Sequence, residues 1–146
     1  AFTKKFLPTL DIQPGRGHVL ITKSVAELKF KGIFHFDRGY YYFRELNGGV
    51  LFGGGRNIDF KSEQTIEFEF NEKIKNDLLE KLQTIILPET KFEVEDWWAG
   101  IMAFGGSKVP ILTKHSERIF LGVRMGGMGV ALGSEVGEQL AEMMLK

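Results

Sequence analysis

Cysteine is absent from the 146-residue chain, which excludes disulfides, thiolate metal sites and a cysteine nucleophile. Net charge is also absent, because 19 basic residues balance 19 acidic ones. Composition therefore favours neither a nucleic acid nor an anionic membrane as partner. No apolar run approaches the ~18 residues that a membrane span needs, and no signal peptide is recognisable. We expect a cytoplasmic protein with no nucleic-acid or membrane partner.

Histidine is scarce, with three copies, and His18, His35 and His115 stand in no cluster with metal-ligand spacing. Paired carboxylates and a Ser/His/Asp arrangement are not recognisable either. The sequence therefore predicts no metal site and identifies no catalytic residue.

Phenylalanine and glycine are abundant, with 13 and 18 copies, which favours a sheet-rich fold with tight turns. Pro14 to Gly17 (PGRG) predicts a turn before a buried strand over residues 18–22. The sequence LNGG lies between aromatic and aliphatic runs at 40–45 and 50–52 and predicts a hairpin. Gly53 to Gly55 follow, and permit close approach of a backbone or a ligand. The alternating run 65–70 (TIEFEF) predicts a further strand with its apolar residues inward.

Two helices are predicted. Asn71 is a candidate cap for the first, whose apolar residues Ile74, Leu78, Leu82 and Ile85 recur at helical spacing until Pro88. The last helix runs from about Gly129 to Leu145. Strands at about 91–104, 111–112 and 119–123 separate the two helices. The order predicts an α+β fold with a mixed, largely antiparallel β-sheet and two main helices.

The sequence Val123 to Gly137 (VRMGGMGVALGSEVG) predicts a strand end, a glycine turn and a helix. Glycines leave backbone amides accessible, and a helix N-terminus adds a positive dipole end, so the turn suits an anion or a carbonyl oxygen. Packing alone is the other explanation of these glycines. A dinucleotide site of the Rossmann type needs a further parallel strand and an acidic residue about 20 positions on, which makes an NAD-binding protein a weak alternative.

Four pieces occur in one order: PGRGHVLIT, YYYFRELNGGVLFGGGR, WWAGIMAFGGSKVPIL and IFLGVRMGGMGVALGSEVGEQLAEMM. Together they resemble the C-terminal half of the FAD-dependent oxidoreductases related to D-amino acid oxidase, glycine oxidase and sarcosine oxidase. The resemblance extends from about Pro14 to Leu145. It implies a substrate-binding sheet domain over residues 1–117. Residues 118–146 would be the terminal strand, glycine loop and helix that complete an FAD-binding domain.

The resemblance implies FAD as cofactor, with its flavin beside Gly126, Gly127, Met128, Gly129 and Val130. It implies hydride transfer from an amine-bearing or hydroxyl-bearing substrate carbon to the flavin. The family's G-x-G-x-x-G motif for the ADP moiety is absent. We therefore expect a fragment that is inactive alone and binds FAD weakly or not at all. Its partners would be the N-terminal FAD-binding half of the same protein and a small-molecule substrate.

The resemblance also indicates substrate-binding positions. The family often has a tyrosine in a Y-x-x-P segment; Tyr40 matches it, Tyr42 has the same parity, and Phe43 replaces the proline. An edge or core role explains these aromatic residues equally well. The amino-acid oxidases have W-x-G-x-R, whose arginine binds the substrate carboxylate, but Met102 stands at that position. This departure puts a free α-amino acid substrate in doubt, and the candidate replacements are Arg124, Arg44 and Arg56.

A second hypothesis needs no redox chemistry. A free-standing binding module that kept the sheet would use Trp97, Trp98 and the glycine face of the last helix as an interface for a protein or a small molecule.

Overall fold

The computed structural model describes residues 2–5 and 7–145, and the chain divides into two compact units. One unit is Arg16–Gly100, and the other comprises Ala1–Gly15 with Ile101–Lys146. The division predicted at residue 117 concerns the family's domains and stays a prediction.

Within the residues that the structure describes, seven strands and two main helices make up the fold, which confirms the α+β class. A five-stranded sheet has the order β2-β3-β4-β1-β5, and β6 and β7 form a separate two-stranded sheet. The pairs β1–β4, β2–β3, β3–β4 and β6–β7 are antiparallel. The strands are β1 Gln13–Thr22, β2 Ile33–Phe36, β3 Tyr41–Leu46, β4 Gly49–Gly54, β5 Val94–Phe104, β6 Ile111–Ser116 and β7 Ile119–Val123.

The predicted hairpin is confirmed as β3 and β4, joined by a two-residue turn at Asn47 and Gly48. Both turn residues have a positive φ, 52° and 79°, as a type I′ turn requires. The register pairs Tyr42 with Gly53 and Tyr41 with Gly54. Alternate residues of β3 therefore face opposite sides of the sheet, with Tyr41 fully buried and Tyr42 about one-third exposed.

The turn predicted at Pro14 to Gly17 is wrong, because these residues belong to β1. Proline is tolerated near the start of a strand, where no ladder hydrogen bond needs its missing N–H. The Arg16 amide donates to the Glu63 carbonyl at 2.8 Å, so the chain stays extended and its backbone is paired.

The strand predicted at 65–70 is also wrong, because this segment pairs with no strand in the described part of the chain. Ile66 and Phe68, predicted to face inward, are 62% and 66% exposed. The alternating pattern is necessary for a half-buried strand but not sufficient, because a strand also needs a neighbour for its hydrogen bonds.

Helix α1 spans Glu72–Lys81 and begins as predicted, with the Asn71 side chain accepting from the Lys73 amide. It continues as a π-helical turn over Leu82–Ile86, in which the Leu87 amide donates to the Leu82 carbonyl at 2.7 Å. The extra residue shifts the apolar face. Ile86 is therefore buried, and Ile85, predicted to be inward, is 55% exposed.

The core of the unit Arg16–Gly100 lies between α1 and one face of the sheet. Its fully buried members are Leu20, Tyr41, Val50, Phe52, Ile74, Leu78 and Leu82. In the other unit, helix α2 spans Gly129–Leu145 as predicted. α2 packs closely on β7, because a Cβ at Gly122 would lie only 2.5 Å from Val136 Cγ1. In the described residues, no helix combines the length and the apolar character that crossing a bilayer requires.

Candidate functional site

The glycine turn between β7 and α2 is the centre of the candidate cofactor site. Gly126 and Gly127 have φ values of 56° and 88°, in the left-handed region that favours glycine. Between them and the helix, the Met128 amide donates to the Met125 carbonyl at 2.8 Å. The chain thus reverses tightly before α2 begins at Gly129.

The N-terminus of α2 opens to the surface. Val130 is fully exposed and Met128 is 57% exposed. The amides of Gly129 and Val130 have no acceptor within the helix, as in the first turn of any α-helix. Among the described residues no other acceptor is recorded for these two amides. Two free donors and the positive end of a 17-residue helix can stabilise a negatively charged or electron-rich oxygen here.

Strand β5 lies directly beside the glycine turn. The Gly126 amide donates to the Ala103 carbonyl at 3.0 Å, and a Cβ at Gly127 would contact Met102 Sδ at 3.6 Å. The structure therefore brings Met102 and the glycine turn together, two parts of the site predicted separately. Because methionine carries no charge, it supplies a polarizable apolar contact at this point.

Arg124 lies just before the turn, with a positive φ of 64°. Its guanidinium donates to Asp11 Oδ2 at 2.9 Å and to the Val109 carbonyl at 2.8 Å. Further bonds from the same group reach the Asp11 and Val109 carbonyls, and its side chain is only 10% exposed. Arg124 thus ties together three segments of its unit, and its role in substrate binding stays a prediction.

Tyr40 and Tyr42 lie in the other unit, Arg16–Gly100, where Tyr42 belongs to β3 and Tyr40 immediately precedes it. The Tyr40 ring packs edge-on against Phe60, with centroids 5.9 Å apart. Tyr42 lies 6.3 Å from the His35 ring, and burial raises the pKa of the Tyr42 phenol. In the described chain no hydrogen bond of the Tyr42 hydroxyl is recorded.

The two remaining arginine candidates differ in environment. Arg56 stacks over the Phe60 ring at 5.2 Å, and burial lowers the pKa of its guanidinium. Arg44 is exposed on β3, and within the described residues no hydrogen bond or ion pair of its side chain is recorded.

A buried charged cluster in the unit Arg16–Gly100 was not predicted from the sequence. Glu63 is fully buried and accepts from Arg16 Nε at 3.0 Å and Nη2 at 2.8 Å. His18 Nε2 lies 2.8 Å from Glu63 Oε2, and Asn71 donates to Glu63 Oε1 at 2.8 Å. Because a carboxylate only accepts, His18 Nε2 carries the hydrogen. The polar run around Glu63 gives no periodic signal that could have indicated its burial.

Electrostatics in this cluster favour an ionised Glu63 and a neutral His18. Burial alone would raise the pKa of Glu63, but hydrogen bonds from Arg16 and Asn71 hold it below its ordinary value. Burial lowers the pKa of His18, although Glu63 acts in the opposite sense. Glu63 belongs to the segment between β4 and α1, so the cluster fixes that segment to β1.

In the unit that contains residues 101–145, the glycine turn and the exposed N-terminus of α2 can receive an electron-rich group. Against known families, the sequence matches the family described as "FAD dependent oxidoreductase" over residues 1–143. Because this match extends over nearly the whole chain, the protein belongs to that family.

Solved structures show the same fold. The L-proline dehydrogenase from P. horikoshii has a TM-score of 0.70 at 18% identity, with 91% of this chain and 36% of that chain covered. The glycine oxidase from Bacillus cereus ATCC 14579 has a TM-score of 0.70 at 19% sequence identity, with 91% of this chain and 36% of the oxidase covered. The L-amino acid deaminase from Proteus vulgaris, with its specific insertion sequence deleted, has a TM-score of 0.70 at 20% sequence identity. This alignment covers 99% of this chain and 37% of the deaminase.

The chain therefore spans little more than a third of the length of these flavoproteins. No curated protein matches the sequence.

Proposed function

We propose that this chain is the C-terminal, substrate-domain part of an FAD-dependent oxidoreductase that takes a hydride from an amine-bearing or hydroxyl-bearing carbon. Family membership over residues 1–143 supports the cofactor class. The observation that carries the proposal within this chain is the turn of positive-φ glycines, which opens into a helix with free first-turn amides.

The residues of the turn fit a flavin edge. Gly126 and Gly127 lack the side chains that would block a flat ring, and a Cβ at either would meet no atom closer than 3.6 Å. The amides of Gly129 and Val130 would donate to an oxygen at the edge of the ring, and Met128 would contribute its backbone. FAD, when bound, supplies the hydride acceptor. The chain supplies the positive end of α2, which stabilises the negative charge that reduction creates.

For the substrate we propose contacts from Tyr40 and Tyr42, with Met102 beside the cofactor and Arg124 as structural support or anion partner. An uncharged residue at position 102 favours a substrate group other than a carboxylate at that point, because methionine cannot form the bidentate pair of an arginine. The proposed partner is an N-terminal FAD-binding half of the same protein. In this view residues 118–146 complete that half and residues 1–117 bind substrate.

A charge placed in the turn tests the cofactor site. In the complete protein, Gly129→Asp should lower the amount of FAD that copurifies or shift the flavin potential downward, because the new carboxylate repels reduced flavin. Ser134→Asp adds the same charge further along α2 at an exposed position and is the matched control. Equal FAD content and potential in Gly129→Asp and the control would remove the turn from the cofactor site.

A further inference from the structure

The Tyr42 side chain lies over a glycine of the neighbouring strand. In the register of β3 and β4, Tyr42 is directly opposite Gly53. A Cβ at Gly53 would lie 2.6 Å from the Tyr42 hydroxyl oxygen and 2.7 Å from Tyr42 Cζ. These distances are far inside van der Waals contact, so the end of the Tyr42 ring occupies the space where any other residue at 53 would have its side chain.

The backbone of Gly53 does not itself require glycine. Its φ is outside the positive range, unlike that of Gly54 and Gly55, with φ values of 129° and 77°. A Cβ at Gly54 would also collide with the backbone of Tyr40 and Tyr41, whereas the closest atoms to a Cβ at Gly53 belong to a side chain. Gly54 and Gly55 are thus explained by the main chain, and Gly53 chiefly by the side chain above it.

The phenol that lies over Gly53 is set up as a donor. No hydrogen bond of its hydroxyl is recorded in the described residues, and Tyr42 as a whole is 36% exposed. Tyr41, its neighbour on the opposite face, instead donates to Asp77 Oδ2 at 2.7 Å within the fold. A half-covered phenol without a protein partner can hydrogen-bond an oxygen or nitrogen of a bound molecule.

We propose that Gly53 is a positioning residue whose missing side chain lets the Tyr42 ring lie across β4 and holds its hydroxyl ready for a polar atom of the substrate. The substrate contact of Tyr42 rests on the proposed function, whereas the effect of Gly53 on the position of the Tyr42 ring concerns this chain alone. A residue with a side chain at position 53 would displace the Tyr42 ring from the sheet into solvent.

Titration of the Tyr42 phenol tests whether Gly53 determines the position of the Tyr42 ring. The chain has three tyrosines, and Tyr42→Phe identifies the Tyr42 contribution to the absorbance change at high pH. In Gly53→Ala the Tyr42 phenol should ionise at lower pH than in the unsubstituted chain, because its ring moves into water. Gly100→Ala is the matched control, because Gly100 lies on β5 of the same sheet and a Cβ there would meet nothing within 4 Å. An unchanged Tyr42 ionisation in Gly53→Ala would overturn the inference.

A double-mutant cycle covers the case in which Gly53→Ala folds poorly. A Cβ at 53 would also lie 2.9 Å from the His18 carbonyl, a backbone contact that could itself destabilise the variant. If Tyr42 is the main obstacle, Tyr42→Ala should restore most of the urea midpoint that Gly53→Ala loses, and Tyr42→Phe should not, because its Cζ remains. Failure of Tyr42→Ala to restore the midpoint would assign Gly53 to the main chain and contradict the proposal.

Kinetics of the complete flavoprotein test separately whether the Tyr42 hydroxyl contacts the substrate. Gly53→Ala and Tyr42→Phe should each raise KM more than they lower kcat, and the double variant should add little to either. If the Tyr42 phenol moves in Gly53→Ala but KM does not change, Gly53 does position the Tyr42 ring, and the proposed contact of Tyr42 with the substrate is wrong.

Discussion

Glu63 is a buried carboxylate that accepts hydrogen bonds from three side chains, Arg16, His18 and Asn71. Replacing it by Gln would leave the buried Arg16 guanidinium without its countercharge. We expect Glu63→Gln to lower the free energy of unfolding by roughly 3–5 kcal/mol. Glu93→Gln, which breaks the exposed ion pair with Lys23, should leave stability nearly unchanged. Urea unfolding of both variants at neutral pH measures the difference, and equal midpoints would contradict the role of Glu63.

The same cluster predicts acid sensitivity. His18 has a folded pKa below its ordinary 6.5, so its unfolded form binds the proton first and stability falls as pH drops below that value. Glu63 has a folded pKa below its ordinary 4.5, so its contribution is present above that value and is lost on further acidification. The urea midpoint should therefore decrease from about pH 7.5 to about pH 4. In His18→Gln the upper part of this decrease should disappear; if it persists, another group is responsible.

Arg124 and Arg44 form a natural comparison, since one guanidinium is fully engaged and the other has no recorded partner in the described chain. Arg124→Ala removes charged hydrogen bonds to Asp11 and Val109 and should cost about 1–3 kcal/mol. Arg44→Ala should change the melting temperature little. If the two variants melt alike, Arg124 is not the structural tie that its geometry indicates, and its candidacy as a substrate ligand gains weight.

At the scale of elements, Asn71 joins a helix to the buried cluster. Its side chain accepts from the Lys73 amide at 3.0 Å and donates to Glu63 and to Asp59. Asn71→Ala should cost about 1–2 kcal/mol as a lost cap and a lost partner of Glu63. Asn71→Asp keeps the capping oxygen but places a third carboxylate beside Glu63 and Asp59, so it should not restore stability. Thermal unfolding of the two variants checks this, and a full restoration by Asp would reduce Asn71 to a cap.

Element prediction from the sequence succeeded where local chemistry decides the structure. The Asn47-Gly48 turn, the Asn71 cap and the start of α2 each depend on neighbouring residues, and all three are confirmed. The prediction was wrong where pairing at a distance decides. Residues 65–70 have a strand pattern without a neighbouring strand, and Pro14 to Gly17 are extended because β1 continues through them.

The candidate site was predictable in part for the same reason. The glycine turn is visible as a local pattern, whereas Glu63 and Asp11 become important only through partners 47 and 113 residues away in sequence. No periodic signal marks either residue. The π-helical turn at Leu82–Ile86, which moves Ile85 outward and Ile86 inward, likewise lies outside a simple helical period.

At the scale of the whole molecule, the chain belongs to the FAD-dependent oxidoreductase family and spans 36–37% of the solved flavoproteins that it resembles. Its own residues supply a glycine turn and a helix N-terminus, but the family's G-x-G-x-x-G motif for the ADP moiety is not in its sequence. We therefore expect the 146-residue chain alone to bind FAD weakly or not at all. Fluorescence titration of free FAD measures the affinity of this chain for the cofactor. Sub-micromolar binding would contradict the proposal that an N-terminal half supplies the ADP-binding part of the FAD site.

Purifying the native gene product from its source, and measuring its polypeptide mass and its FAD content together, tests whether this chain is part of a larger flavoprotein. We expect a polypeptide much longer than 146 residues, with this sequence in its C-terminal part and one FAD bound per chain. A native polypeptide of 146 residues that contains no flavin would contradict the proposed function and favour a free-standing binding module.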